Sequence, residues 1–242
     1  LYNLGPAPEP NMTVLWHPAL PEGFKEFCAK VSIETSSVQY ENDSLMRKVR
    51  GCDDYGIACC VSYQAIGKAI QFFGARANLA KALLLALNGG RCENTGTLMV
   101  EGIKPLSSDV LDYNEVMENY KKVLHEVARV YNETMNIIHY MHDKYDYEKS
   151  QMAFIDTNPT INLAYGVAGL SIVADSLSAI KHAKVTARRN ADGLTEGFDI
   201  EGEFPMYGND DDRVDVLARD IVQFFNTELC TRKVYKDAMP TL

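Results

Sequence analysis

The feature that most constrains the fold is a long stretch of helical periodicity between residues 112 and 145. Its apolar side chains recur every three or four positions, the spacing that places residues on one face of an α-helix. The inward residues of this pattern are Val116, Tyr120, Val123, Leu124, Val127, Val130, Tyr131, Met135, Ile138 and Met141. Asp112 directly precedes them and is a residue type favoured at helix N-caps. The pattern predicts a long amphipathic helix, one face of which other elements must cover.

Helical and strand-like segments alternate along the rest of the chain. The helical ones are rich in alanine, leucine or small residues, and the first of them is followed by Gly89-Gly90, a typical helix end. The strand-like ones lie on either side of a glycine-containing turn. The predicted helices cover residues 75–87, 163–183 and 212 onward, and the predicted strands are KVTARRN and FDIEGEFP. This interleaving favours an α/β fold.

The charge balance and the cysteines narrow the class of protein. The chain has 24 Lys and Arg residues against 33 Asp and Glu, a formal net charge of −9, so it lacks the basic character of a nucleic-acid-binding protein. No apolar run reaches the roughly 18 residues that a membrane span requires. The six cysteines follow no disulfide-framework spacing, which indicates reduced thiols and a cytoplasmic location, or an organelle in a eukaryote. We therefore expect neither nucleic acid nor membrane as a partner.

Two adjacent cysteines, Cys59 and Cys60, lie in the short apolar run GIACCVSYQ. Neighbouring cysteines close only a small, strained disulfide ring, and metal sites usually space their ligands two to four residues apart. The two cysteines therefore either fill space in the protein core or take part in a reaction. Free cysteine is often a small buried hydrophobe, whereas a nearby cation or helix N-terminus would make it a thiolate nucleophile or a redox site. Composition alone leaves these alternatives open.

Arg76 is a further candidate that the residues themselves single out. It lies in the mostly apolar run FFGARANLAK, near the start of the helix predicted for residues 75–87. A guanidinium in such surroundings requires an anion, and its planar fork suits a substrate carboxylate. A salt bridge to one of the many acidic residues is the alternative.

Two other motifs indicate structure rather than chemistry. His139 and His142 stand three positions apart on the long helix without an obvious third metal ligand, which favours a structural role in a hydrogen-bond network. The acidic run from Asp210 to Asp212 lacks the glycine and closing glutamate of a calcium loop. It precedes a predicted helix, whose N-terminus favours carboxylates. Neither motif predicts a bound metal.

Seven stretches, which run nearly end to end, carry a family resemblance: LYNLGPAPEPNMTVLW, KVSIETSSVQYEND, DDYGIACCVS, QFFGARANLAK, NIIHYMHDKY, AGLSIVADSLSAIK and IEGEFPMYGNDDDRVD. They resemble the pyruvate formate-lyase family of glycyl radical enzymes. The vicinal pair Cys59-Cys60 is the most specific mark, because related glycyl radical enzymes usually show one cysteine followed by Val-Glu-Pro. Tyr63-Gln64 departs from the Pro-Met expected after the cysteine pair in this family, a difference that concerns local loop packing and no reacting atom.

The resemblance implies a fold and a set of site residues. The fold is α/β, part of a ten-stranded β/α barrel with the cysteine loop at its centre. All 242 residues would form a single segment of this catalytic barrel domain. By the same resemblance Cys59 and Cys60 are catalytic, Arg76 binds the substrate carboxylate, and Phe73 packs near the substrate methyl group.

The implied activity is that of a formate C-acetyltransferase, which cleaves pyruvate with coenzyme A into acetyl-CoA and formate. A radical stored on a backbone glycine passes to Cys60 and then to Cys59, which adds to the pyruvate carbonyl. Cleavage leaves an acetyl thioester on Cys59 and a one-carbon radical that becomes formate, and coenzyme A then takes the acetyl group. Adjacent thiols keep these exchanges local. The implied cofactor is the glycyl radical, coenzyme A is a co-substrate, and no metal takes part.

Other parts of such an enzyme are expected outside these residues. The family keeps its radical glycine in an Arg-Val-Ser-Gly-Tyr stretch, which this sequence does not contain. We therefore expect an internal fragment that is inactive alone. The resemblance also implies a radical S-adenosylmethionine activating enzyme and a homodimer. Two alternatives stay open: an enzyme that prefers 2-oxobutyrate, and a non-catalytic barrel or redox module.

Overall fold

The computed structural model describes residues 1, 3, 12–35, 38–58, 62–145 and 156–242, apart from the side chain of Ala58. The chain forms two compact units. The first is Leu1–Gln71 with Glu148–Thr160, and the second is Phe72–Tyr147 with Ile161–Leu242. Helices and strands interleave in both, which confirms the predicted α/β class. No helix among the described residues is long and apolar enough to cross a membrane.

The first unit opens with two parallel strands that have a helix between them in the sequence. The strands are β1 (Met12–Trp16) and β2 (Val38–Asn42), and the helix is α1 (Glu22–Glu34). Cys28 and Val31 on the inner face of α1 are completely buried. The apolar side of this helix therefore supplies part of the core of the unit.

A short helix and three strands complete the first unit. Helix α2 follows β2 directly, and the Asn42 side chain caps it by accepting a hydrogen bond from the Leu45 N–H at 3.0 Å. The next two strands form an antiparallel hairpin. The elements are α2 (Asp43–Arg50), β3 (Tyr55–Ala58), β4 (Ser62–Ala65) and β5 (Ala69–Phe72).

The second unit is built around one long helix, α4. Neighbouring helices α3 and α6 pack against it, and α5 packs on α6. Strands β6 and β8 pair in parallel, as do β7 and β11, whereas β9 and β10 pair antiparallel. The elements are β6 (Arg76–Asn78), α3 (Leu79–Leu87), α4 (Tyr113–Lys144), β7 (Thr160–Ala164), β8 (Gly166–Ala168), α5 (Leu170–His182), β9 (Lys184–Arg189), β10 (Thr195–Glu201), α6 (Asp212–Cys230) and β11 (Met239–Thr241).

Helix α4 confirms the long periodic helix and its cap. The Asp112 side chain accepts a hydrogen bond from the Glu115 N–H at 2.9 Å. The predicted inward face is right for its first half and only partly right beyond it, because Val130, Ile138 and Met141 are exposed. Small and polar residues occupy the buried face there, which a count of apolar residues omits. They are Ala128, Asn132 and His139.

Two predicted helices begin later than the sequence pattern indicated. The helix expected from residue 75 begins at Leu79, and the one expected from residue 163 begins at Leu170. The residues before them form β6, β7 and β8, and Arg76 lies opposite Gly166 in the β6–β8 pair. Strand pairing between distant segments overrides the helical propensity of alanine and leucine here. Arg76 therefore lies on a strand three residues before α3, which confirms its place near a helix start but not within the helix predicted from residue 75.

The predicted strand pair and the last predicted helix both form. The strand pair is β9–β10, although β10 covers Thr195–Glu201 rather than residues 198–205. Asp211 caps α6 by accepting a hydrogen bond from the Arg213 N–H, and the bonds from Arg213 lower the pKa of this carboxyl to about 2. The acidic run therefore serves the helix N-terminus, as expected.

Candidate active site

The two site residues proposed for substrate binding lie on one short stretch of backbone, residues 72–76. Phe72 is buried, whereas the Phe73 side chain is 55% exposed and Arg76 is exposed as well. The backbone of this stretch is held inside the second unit, but its two candidate side chains face outward. Both are thus available to a ligand.

Arg76 has no ion-pair partner among the residues that the structure describes. This observation favours the anion-binding interpretation over the salt bridge within the described parts of the chain. Gly166 makes room for the side chain, since a Cβ at that position would lie 3.0 Å from Arg76 Cγ and 2.7 Å from the Ala75 carbonyl oxygen. A guanidinium on a strand without a carboxylate neighbour can donate two parallel hydrogen bonds to an anion.

Helix α4 holds the backbone between the two candidate side chains. The Tyr131 hydroxyl oxygen accepts hydrogen bonds from the Ala75 N–H at 2.8 Å and from the Gly166 N–H at 3.1 Å. The His139 ring bonds the Phe73 carbonyl oxygen through Nε2 at 2.8 Å. Sequence reasoning missed Tyr131 as a site residue, because nothing in the local pattern shows a partner 56 positions away.

His139 confirms the structural role expected of one histidine of the pair. Its ring is 4% exposed and stacks on Phe72, with centroids 4.4 Å apart and planes 15° from parallel. Burial lowers the pKa of His139, so the imidazole is neutral at neutral pH. Because a carbonyl oxygen only accepts, the proton of the neutral ring is on Nε2.

The two predicted catalytic cysteines, Cys59 and Cys60, lie outside the described residues. They stand in the sequence between β3 and β4, whose last paired residues, Ala58 and Ser62, lie opposite each other in the antiparallel register. Their roles stay a prediction. The strands that flank them are described.

The hairpin that flanks the cysteines is anchored by a buried carboxylate. The Tyr55 hydroxyl donates to Asp43 Oδ1 at 2.8 Å, and Arg47 Nε bonds both oxygens of Asp43 at 2.9 Å. Burial alone would raise the pKa of Asp43, but the bonds from Tyr55 and Arg47 outweigh it and lower that pKa. The pKa of Tyr55 is raised to about 12 by burial and by its bond to the carboxylate. Asp43 is thus ionised and ties β3 to α2.

Tyr63, the residue that departs from the family motif, packs inside this hairpin. Its ring stacks on Tyr55 with centroids 4.9 Å apart, and the Arg50 guanidinium lies 5.3 Å from its centroid. Tyrosine therefore has an aromatic and a cationic neighbour at this position. The departure is accommodated by local packing.

Cys92 is an activated thiol that sequence reasoning did not single out. The Thr95 hydroxyl, the N–H groups of Asn94 and Thr95, and the Lys81 ammonium together lower its pKa to about 7. Lys81 Nζ lies 3.2 Å from the sulfur and also pairs with Glu93. The tight turn after α3 thus gathers donors around this sulfur.

We expect Cys92 to react with iodoacetamide with a half-maximal rate near pH 7, well below the ordinary thiol value of about 8.5. Lys81→Met removes the neighbouring cation and should move the midpoint to higher pH. Lys48→Met changes an exposed residue of α2 and is the control. Mass spectrometry of the Cys92 peptide measures the rate. A wild-type profile that rises only above pH 8 would contradict the assigned environment.

Comparisons with known proteins identify the relatives of this chain. The family model described as Pyruvate formate lyase-like matches residues 1–242. Formate acetyltransferase 1 of Escherichia coli (strain K12) is 54% identical over 241 residues, which are 100% of this chain and 32% of that protein. The chain thus spans about a third of the length of this relative.

Three solved structures share the fold of this chain. A structure from work on 1,2-propanediol dehydration in Roseburia inulinivorans aligns with a TM-score of 0.74 at 21% identity, over 97% of this chain and 34% of that one. A glycyl radical enzyme from Archaeoglobus fulgidus gives 0.69 at 18% identity, over 96% and 34%. Hydroxyproline dehydratase from Clostridioides difficile gives 0.73 at 19% identity, over 97% and 34%. At such identities the likeness establishes the fold, and it confirms the expected fold class.

Proposed function

We propose that this chain, which belongs to the pyruvate formate lyase-like family, supplies the thiols and one carboxylate-binding arginine of a formate C-acetyltransferase. The parent enzyme would cleave pyruvate with coenzyme A into acetyl-CoA and formate. The 54% identity to an acetyltransferase supports this reaction over the dehydrations of the more distant relatives. The single observation that carries the proposal concerns Arg76. Its guanidinium is exposed, has no carboxylate partner among the described residues, and stands on a strand whose preceding residue is hydrogen-bonded to Tyr131.

Arg76 and Phe73 bind the substrate in this proposal. The guanidinium donates two parallel hydrogen bonds to the carboxylate oxygens of pyruvate in a planar, bidentate arrangement. Phe73 offers an exposed apolar ring three residues before Arg76, the first residue of β6, and this ring suits the substrate methyl group. One short backbone segment thereby presents complementary groups to the charged and apolar ends of a small 2-oxo acid.

Cys59 and Cys60 perform the chemistry in this proposal. The Cys60 thiyl radical takes the hydrogen atom of the Cys59 thiol, and the Cys59 thiyl sulfur adds to the ketone carbon of pyruvate. The bond between the ketone and carboxylate carbons then breaks homolytically, which leaves the acetyl group as a thioester on Cys59. The carboxylate carbon leaves as a one-carbon radical that takes a hydrogen atom from the Cys60 thiol, which gives formate and restores the Cys60 radical. The sulfur of coenzyme A then takes the acetyl group. A glycyl radical elsewhere in the parent enzyme supplies the unpaired electron, and no metal takes part.

The remainder of the parent enzyme completes the proposal. The 242 residues are one segment of a catalytic barrel domain, and the radical glycine belongs to another part of the polypeptide. A radical S-adenosylmethionine activating enzyme generates the radical, and two copies of the parent chain form a homodimer. We place this enzyme in the cytoplasm or in an organelle, where its thiols stay reduced.

The experiment that tests the site is Arg76→Lys in the full-length, activated enzyme. Lysine keeps the charge but loses the two-pronged geometry, so the KM for pyruvate should rise about tenfold or more. This corresponds to a loss of binding free energy on the order of 1–3 kcal/mol. The KM for coenzyme A should not change. Arg188→Lys is the matched control, because Arg188 is an exposed arginine that pairs with Asp199. Unchanged pyruvate dependence in the Arg76 variant would assign Arg76 a structural role instead.

A further inference from the structure

We propose that Tyr131 and His139 of α4 are positioning residues, which fix the backbone from Phe73 to Arg76 and thereby set where the two substrate-binding side chains lie. This inference rests on the proposed function, since it assigns Phe73 and Arg76 to the substrate. Neither residue contacts the substrate in this account. Each acts through a hydrogen bond to a main-chain group of the segment that carries the site.

Tyr131 ties two strands to the helix through a single oxygen. Its ring is buried, and the hydroxyl oxygen accepts from Ala75, the residue before β6, and from Gly166, the first residue of β8. The Gly166 N–H also reaches the Ala75 carbonyl oxygen at 3.2 Å. Removing the hydroxyl would therefore leave the Ala75 N–H without this acceptor, next to Arg76. Because this hydrogen bond is partly buried, losing its acceptor costs free energy, and the local backbone shifts to recover a partner.

His139 holds the other end of the segment. Its Nε2–H donates to the Phe73 carbonyl oxygen at 2.8 Å, and its ring stacks on Phe72. The bond fixes the peptide plane that follows Phe73, and the stack fixes the residue before it. Because the ring is buried and neutral, the donor stays in place at neutral pH.

Gly74 lies between these two attachment points and is confined as well. A Cβ at Gly74 would meet the Ala164 carbonyl oxygen at 1.6 Å and the Tyr131 hydroxyl oxygen at 3.1 Å. The segment is thus fixed on several sides, yet Phe73 and Arg76 stay exposed. Core packing alone does not require a rigid backbone beneath exposed side chains. A binding site does require one, because its groups must be held within about 0.5 Å of the productive geometry.

The test uses Tyr131→Phe in the full-length enzyme without its radical, so that pyruvate binds but is not consumed. Calorimetry should show about a tenfold increase in the pyruvate Kd, because the partly buried hydrogen bonds of the Tyr131 hydroxyl no longer fix the geometry of the site. Tyr120→Phe is the matched control. Tyr120 lies on the same helix, is completely buried, and bonds the Leu79 carbonyl oxygen at 3.2 Å. The Tyr120→Phe enzyme should lose stability without losing pyruvate affinity.

A double-mutant cycle identifies the route of the effect. If Tyr131 acts through Arg76, the double variant Tyr131→Phe with Arg76→Lys should bind pyruvate about as weakly as Arg76→Lys alone. Additive losses would overturn the inference. A normal Kd for Tyr131→Phe beside a raised Kd for Arg76→Lys would also overturn it while leaving the proposed function intact. A normal Kd for Arg76→Lys would defeat the proposed function, and the inference with it.

Two variants separate the bond of His139 from its packing. His139→Gln keeps an N–H donor near the position of Nε2 but loses the ring, whereas His139→Phe keeps a ring on Phe72 but loses the donor. The Gln variant should retain more pyruvate affinity than the Phe variant if the bond to Phe73 positions the site. The opposite order would show that His139 only packs, which contradicts its assigned role.

Discussion

Replacing either Cys59 or Cys60 with serine in the activated full-length enzyme is expected to abolish formate release. Serine is nearly isosteric with cysteine, so the change costs little in packing. Its O–H bond, however, is too strong to give up a hydrogen atom to a glycine-centred radical. An oxygen ester would also transfer poorly to coenzyme A. Formate release in the presence of pyruvate and coenzyme A measures the effect, and Cys230→Ser, at an exposed cysteine, is the control.

The two variants should fail in different ways, because the proposal gives the sulfurs different roles. Without the Cys60 thiol, the enzyme should keep its radical on glycine, and Cys59 should stay unacetylated in pyruvate. Without the Cys59 thiol, Cys60 should still exchange hydrogen with the glycine, but no acetyl-enzyme should form at position 59. Radical spectroscopy and mass spectrometry of the cysteine peptide distinguish these outcomes. Acetylation on Cys60 of the wild-type enzyme, with Cys59 free, would reverse the assigned roles. Turnover by either variant would show that the two cysteines only contribute to packing.

The sequence predicted those elements whose signals are local. Asp112 caps α4, Gly89 and Gly90 follow α3, and Asp211 caps α6. Each of these signals lies within a few residues of the helix end that it determines. The α/β class followed for the same reason, since it needs only the order of helices and strands.

The sequence did not predict features that depend on distant partners. Residues 76–78 form a strand only because β8 pairs with them, and β8 lies far along the chain. Arg189, in the predicted strand KVTARRN, bonds Asp109, the Leu87 carbonyl oxygen and Thr195. A pattern of residue types contains no information about such pairings.

The candidate site shows the same division. Arg76 was identified from its apolar surroundings and then from the family resemblance, whereas Phe73 was identified from the resemblance alone. Both are held by residues of α4: the apolar pattern indicated only packing for Tyr131, and a hydrogen-bond role was expected of His139 or His142 without a known partner. The hydroxyl of Tyr131 and the Nε2–H of His139 bond main-chain groups, and every residue type offers the same main-chain groups. Sequence could not point to them for that reason.

Gly74→Ala is expected to be strongly destabilising, by about 3 kcal/mol or more, because the new Cβ would lie 1.6 Å from the Ala164 carbonyl oxygen. Backbone on both sides of this contact is fixed, by Tyr131 and His139 near Gly74 and by pairing with β11 at Ala164. Neither side can retreat without breaking hydrogen bonds. Since the displaced backbone carries Phe73 and Arg76, pyruvate affinity should fall together with stability.

Thermal unfolding and pyruvate binding of the Gly74→Ala enzyme measure both effects. A loss of about 3 kcal/mol corresponds to a fall in Tm of roughly 6–12 °C for a domain of this size. Gly23→Ala is the control, because a Cβ at this position of α1 meets no atom within 4 Å and alanine favours a helix, so its Tm should be unchanged or slightly higher. A Gly74 variant with the Tm and pyruvate Kd of the wild type would show that residues 74 and 164 do not approach this closely. Gly74 would then not confine the backbone from Phe73 to Arg76.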